Sequence, residues 1–158
     1  MKNLTIKSYC KINLLLRVLK KSKTGYHNIV SLITFSKPYD VISITKINGK
    51  VDKVCFSGEF KKGINKKSNT VTKTLNLLRK KKIIVRQSYK VNIKKNIPHG
   101  SGLGGGSSNA ADLLNYFNSK IKKKLTKKKI GRMARKIGFD VPICLEKKNT
   151  LLTEKNKI

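Results

Sequence analysis

Apolar residues crowd positions 12–18, give way to polar ones over 20–25, and return over 29–35, which predicts two strands joined by a turn. After Pro38 and Asp40, residues 41–47 alternate, with Ile42 and Ile44 set against Ser43 and Thr45. That period of two predicts a half-buried strand. Residues 61–67 form a polar loop, and Ser68 or Asn69 then stands where a helix cap belongs, ahead of the stripe Val71, Leu75 and Leu78. Residues 82–93 read as further strand, with Val91 and Ile93 alternating against Asn92 and Lys94.

Two more helices follow. Ala110, Leu113, Leu114 and Phe117 recur at helical spacing behind Ser107, Ser108 or Asn109 as the cap, and Asn109 with Asp112 resembles a capping box. The lysine-rich run 120–129 predicts a solvated loop and a helix start. Thr126 can cap a last helix whose stripe is Ile130, Met133, Ala134 and Ile137, with Gly138 in the position just past its end. Helices and strands are thus interleaved in a chain of 158 residues, without repeats or a linker. The expected fold is a single two-layer α+β domain.

Charge changes this picture less than its size suggests. The chain carries 38 Lys+Arg against 7 Asp+Glu, a formal net charge of +31, which points at first to RNA, DNA or an anionic membrane. Yet 33 of those residues are lysine and five arginine, beside 17 isoleucines and 14 asparagines, three residue types that share A- and T-rich codons. Nucleic-acid surfaces favour arginine and stacking aromatics, and this chain has no tryptophan. The lysine excess therefore reads as compositional drift, and a nucleic-acid partner is not expected. Cys10, Cys55 and Cys144 are scattered, without metal-ligand spacing or a disulfide framework, so no metal site is expected. With neither a signal peptide nor a membrane-length apolar run, the expectation is a cytoplasmic protein without membrane attachment.

The richest local signal is a loop. Gly100, Gly102, Gly104, Gly105 and Gly106 stand within seven residues, after Pro98 and directly before the helix of Leu113 and Leu114. Helix N-terminal amides carry partial positive charge, and glycines let backbone approach phosphate oxygens, so the stretch reads as a phosphate cradle. Two familiar cradles fail. A dinucleotide fingerprint needs an acidic residue some twenty positions on, where this chain has lysines, and a Walker A loop needs a lysine at the helix start.

A third pattern fits. Pro98, His99, Gly100, Ser101, Gly102, Leu103, Gly104, Gly105, Gly106, Ser107 and Ser108 resemble the phosphate loop of the GHMP kinases. The opening segment CKINLLLRVLKKSKTGYHNIVSLI, the loop ending GGGSSNAA, and IGFDVPICL together resemble the 4-diphosphocytidyl-2-C-methyl-D-erythritol kinase branch of that family. The resemblance implies the ribosomal S5 domain 2-like fold of the GHMP N-terminal domain. It also implies an ATP-dependent kinase, assisted by Mg²⁺, that phosphorylates the 2-hydroxyl of a cytidyl diphosphate alcohol on the non-mevalonate route to isoprenoid precursors. By the same resemblance the loop from Pro98 to Ser108 wraps the triphosphate and Asn69 belongs to the adenosine pocket. Asp140 is then the acid/base at the substrate hydroxyl and Lys11 holds the two in line. Tyr26 and His27 would clamp the cytosine, and Asn13 would stand in the active site.

The resemblance also implies a second, C-terminal domain. Residues 1–158 match only the N-terminal ATP-binding domain, and the last stretch lacks the glycines expected next. The chain is accordingly expected to be a truncated or split kinase, its other half supplied by a separately encoded polypeptide. Two other readings stay open: an inactive, decayed fragment, and a basic RNA-binding module on an S5-like fold. The intact loop together with Lys11 and Asp140 speaks against the second, since RNA binding has no use for that combination.

Overall fold

The computed structural model describes residues 4–21 and 27–153. Strands β1 (Leu4–Lys21) and β2 (His27–Ile47) run antiparallel and far exceed the expected lengths, because each apolar run continues into flanking residues that also pair. Pro38 and Asp40 do not separate two strands. The ladder absorbs that point as a register shift, Tyr9 pairing with Tyr39 and Cys10 with Ser36, which leaves Lys37 and Pro38 bulged out.

β2 is the hub of a five-stranded sheet. One edge carries β1; the other is divided, with β5 (Thr150–Leu152) against residues 31–33 and β4 (Ser88–Lys94) against residues 41–47. β3 (Lys53–Ser57) lies outside β4 and parallel to it, the chain crossing between them through α1 (Thr70–Lys80). The expected strand over 82–93 is shorter than read. Residues 82–87 are turn and loop, held by Arg79, whose guanidinium donates to the Val85 and Gln87 carbonyls at 2.9 and 2.7 Å and takes Asp52 as a fork at 2.7 and 3.0 Å. Asp52 in turn accepts from the Tyr89 amide at 2.8 Å, so one ion pair fixes the end of α1, the loop and the start of β4.

Helices α1, α2 (Gly105–Lys120) and α3 (Lys127–Ile137) pack on the side chains of Ile42, Ile44, Val91 and Ile93. All the expected helical stripes are buried: Val71, Leu75 and Leu78; Ala110, Leu113, Leu114 and Phe117; Ile130, Met133, Ala134 and Ile137. Each large member contributes about 1.5–3 kcal/mol of transfer free energy, which is why the periodicity located them. A short α4 (Val141–Cys144) closes the helical layer.

The caps were only partly as expected. Asn69 does cap α1, its Oδ1 accepting the Thr72 amide at 2.8 Å, and Thr126 caps α3, accepting the Lys129 amide at 3.3 Å. α2, however, begins before any of Ser107, Ser108 or Asn109, with Gly104 as a left-handed N-cap and no side-chain cap. The Asn109–Asp112 capping box does not exist either: both residues are buried inside the helix. Asp112 pairs instead with Lys147 at 2.6 Å, and burial outweighs that partner, leaving its carboxyl pKa raised. Gly138 ends α3 in extended backbone (φ −178°), so no left-handed turn explains the glycine there.

Candidate active site

The glycine loop and the loop before α1 face each other across a cleft of about 500 Å³. Pro98, His99, Gly100, Ser101, Gly102, Gly104, Gly105, Gly106 and Ser107 form one wall; Asn65, Ser68, Asn69 and Thr70 form the other. The walls are tied where the two helices start, Thr70 Oγ1 donating to the Gly106 carbonyl at 2.7 Å. Since the first bond of α2 is Ser108 N–H to Gly104 C=O, the amides of Gly105, Gly106 and Ser107 have no partner one turn back in the helix. They form an anion-attracting end on the cleft.

Gly104 cannot be replaced without cost. Its φ is +62°, and a Cβ there would sit 3.0 Å from Lys11 Cβ and 3.2 Å from Lys11 Cε. That contact shows how β1 meets the loop. Lys11 is buried at 5 % exposure, although Cys10 before it is also buried and strict alternation would turn one of them out. The break in alternation lies beside the register shift at Tyr9 and Cys10. From there the Lys11 ammonium donates to Asn13 Oδ1 at 2.8 Å and pairs with Asp140 Oδ2 at 3.5 Å. Asp140, at the mouth of α4, keeps 45 % of its side chain exposed and is, among the described residues, the only acidic one lining the cleft.

Lys11 and Asn13, neighbours on β1, thus meet Asp140 from the far end of the chain at the glycine loop. Asn69 lines the opposite wall with its amide fully used, donating to the carbonyls of Asn65 at 2.8 Å and Lys66 at 3.1 Å while capping α1, so it shapes that wall through the loop it holds. Leu103 and Ser108 do not line the cleft: the Leu103 carbonyl accepts from the Lys11 amide, and the Ser108 hydroxyl is buried 3.6 Å from Cys144 Sγ. Burial pushes the Cys144 thiol up to about 11 and raises that of Cys10 as well. Tyr26 lies outside the described residues, as does the side chain of His27, whose backbone opens β2.

Asp40 stands in the sequence only as the residue ahead of the alternating run 41–47, and the structure gives it a larger part. It is fully buried at the point where the β2–β4 ladder ends and the chain leaves β4 for the glycine loop. There its carboxylate replaces the missing ladder bonds, Oδ1 accepting the Asn96 and Ile97 amides at 2.8 and 3.0 Å, and Oδ2 accepting Asn109 Nδ2 at 2.9 Å and the Lys95 ammonium. All four lone-pair sites are taken. The available signal was scarcity: Asp40 is one of four aspartates in a lysine-rich chain, directly ahead of an apolar strand.

Residues 69–148, just over half of the chain and including the glycine loop and Asp140, match the family described as GHMP kinases N terminal domain. The chain belongs to the GHMP kinases. Within the family it is similar to proteins named 4-diphosphocytidyl-2-C-methyl-D-erythritol kinase. The one from Pelagibacter ubique is 44 % identical over 141 residues, 89 % of this chain and 50 % of that protein. The one from Thermosipho melanesiensis is 41 % identical over 140 residues, 89 % of this chain and 48 % of that protein. The chain therefore spans about half the length of these curated relatives. A crystal structure of 4-(cytidine 5'-diphospho)-2C-methyl-D-erythritol kinase superposes with a TM-score of 0.75 at 22 % identity, covering 98 % of this chain and 53 % of that one. The likeness confirms the expected GHMP α+β fold. Among the described residues of this GHMP chain no helix is long and apolar enough to cross a membrane, and no group of three or more His, Cys, Asp or Glu gathers as a metal site.

Proposed function

We propose that this chain is the nucleotide-binding and catalytic half of an ATP-dependent kinase that phosphorylates the 2-hydroxyl of 4-diphosphocytidyl-2-C-methyl-D-erythritol. The observation that carries the reading is the Lys11–Asp140 pair, 3.5 Å apart, with Asp140 lining the glycine cleft and Lys11 packed behind Gly104. Phosphoryl transfer needs little covalent help from a protein, and positioning with charge stabilisation supplies most of the acceleration. The α2 amides and the glycine wall hold the triphosphate. Lys11, fixed by Asn13 and by its own backbone bond to Leu103, orients the substrate hydroxyl against Asp140, which takes its proton.

Mg²⁺ would be carried mainly by the nucleotide. Among the described residues Asp140 is the only carboxylate on the cleft, and Mg²⁺ suits a site with one carboxylate, several waters and phosphate oxygens. Bound there, the ion neutralises charge on the phosphates. The choice of a cytidyl substrate rests on the relatives' names and on the match of Tyr26 and His27 to the family's cytidine clamp.

The sheet carries an exposed aliphatic face on which a further domain could pack. Leu14, Leu15, Leu16 and Val18 of β1 are more than half exposed, as is Leu151 of β5, the strand that pairs with β2 at residues 31–33. Such a run of exposed aliphatics is characteristic of an interaction surface, and a separately encoded C-terminal half would cover it.

The deciding measurement is ATP-dependent phosphorylation of the cytidyl substrate by the purified chain, alone and with any protein encoded directly downstream. Turnover in either case is expected. Absence of both turnover and nucleotide binding would defeat the reading.

A further inference from the structure

We propose that the Lys95 ammonium binds a phosphate group of the nucleotide directly, held at the foot of α2 by Asp40 as its positioning residue; the proposal rests on the nucleotide-cleft reading above. Lys95 stands at the floor of the cleft with 4 % of its surface exposed. A Cβ built on Gly105 would lie 3.2 Å from its Nζ. Any residue but glycine at the first position of α2 would therefore cover the ammonium. As it is, the charge sits beside the open amides that form the anion-attracting end of the helix.

Stability alone does not account for a lysine here. A buried ion pair typically gains little over an apolar pair of similar volume, because both charges lose their hydration. Asp40 already has three neutral donors, from Asn96, Ile97 and Asn109. Of the three ammonium hydrogens of Lys95, one meets Asp40, and among the described residues no other side chain accepts from it. At least one donor remains for a ligand.

A second, independent sign comes from Asn109. Its Nδ2 is bound to Asp40, but its Oδ1, on a residue 1 % exposed that also lines the cleft, has no partner among the described residues. Buried polar atoms are nearly always paired with protein or water, so this oxygen marks where a hydrogen-bearing group of a ligand shell enters the cleft floor. A phosphate on Lys95 with a water bridging to Asn109 Oδ1 satisfies both residues at once.

The backbone of Lys95 is fixed as firmly as its head group. Its amide donates to the Ser57 carbonyl at 2.7 Å, and its carbonyl accepts from Phe60 at 3.3 Å. At Gly58 (φ +88°) a Cβ would stand 2.6 Å from the Lys95 carbonyl oxygen, so the β3 end presses against this one residue. A phosphate ligand so anchored needs no rearrangement on binding.

The test is calorimetric titration of the 158-residue chain with inorganic tripolyphosphate, ATP and adenosine, repeated for Lys95→Met and for Asp40→Asn combined with Lys95→Met. Lys95→Met is expected to weaken tripolyphosphate and ATP about tenfold or more, as for loss of one charge-assisted bond, with adenosine affected less than about twofold. The double variant removes both buried charges; it is expected to stay folded by circular dichroism and to bind tripolyphosphate as weakly, which decides the matter should Lys95→Met fail to fold. Wild-type tripolyphosphate affinity in either folded variant overturns the role of Lys95 while leaving the nucleotide cleft intact. A wild-type chain that binds none of the three probes overturns both.

Discussion

The backbone N–H of Lys11 donates to the carbonyl oxygen of Leu103 at 2.8 Å, so the strand that supplies Lys11 is stitched to the glycine loop. Gly104 is the next residue and packs on the Lys11 stem. Replacing it with alanine puts a side chain into left-handed backbone and against that stem. Gly104→Ala is expected to cost about 1–3 kcal/mol of stability and to weaken ATP binding about tenfold. Thermal denaturation and titration with ATP check it; unchanged affinity would mean that strand and loop are independent.

Asp140 offers a cleaner separation of chemistry from folding, because nearly half of its side chain is exposed and its ion pair with Lys11 spans 3.5 Å. Asp140→Asn is expected to shift stability by no more than about 0.5 kcal/mol. Turnover of the cytidyl substrate should fall about 10²–10⁴-fold, with ATP affinity preserved. Retained turnover would remove Asp140 as the proton acceptor.

Arg79 tests the scaffold away from the cleft. Its guanidinium satisfies Asp52 and two carbonyls, and an alanine leaves a mostly buried carboxylate without its cation. Arg79→Ala is expected to lose about 2–4 kcal/mol in urea denaturation. Arg79→Lys should recover only part of this, since an ammonium cannot reproduce the fork.

The thiols should differ in reactivity and in their effect on alkaline stability. Cys55 is the most accessible of the three and is expected to alkylate first at pH 8, with Cys10 and Cys144 reacting only in denaturant. Burial holds the Cys144 proton up to about 11, against 9.0 for an ordinary cysteine. The unfolded chain ionises first, so wild type should lose roughly 2–3 kcal/mol relative to Cys144→Ala as pH rises from about 9 to about 11. Below pH 8 the difference should be constant. A difference that stayed flat across the alkaline window would contradict the burial of this thiol.

Much of this was legible in the chain itself. The helical stripes were readable because burial repeats every three or four residues, and the loop because five glycines crowd around one helix start. Lys11 was not legible from residue chemistry: one lysine among 33 gives no signal, and only its match to a family motif singled it out. The cap of α2 was misread because serines and asparagine are strong cap formers, whereas the helix starts on a left-handed glycine that needs no side chain. Asp40 and Lys95 are 55 residues apart, and neither charge pattern nor periodicity reports a contact made only when a strand peels away from its sheet. Their partnership is a property of the fold.

The register shift at Tyr9 and Cys10 has a counterpart in how such a chain can vary. Along a strand each added or deleted residue turns every later side chain to the other face. Between Leu4 and Lys11 the number of residues therefore matters more than most of their identities. Within β1 an insertion or deletion that the ladder did not take up as another bulge would carry Lys11 away from Asp140, and substitutions at later positions of the strand would not restore its face.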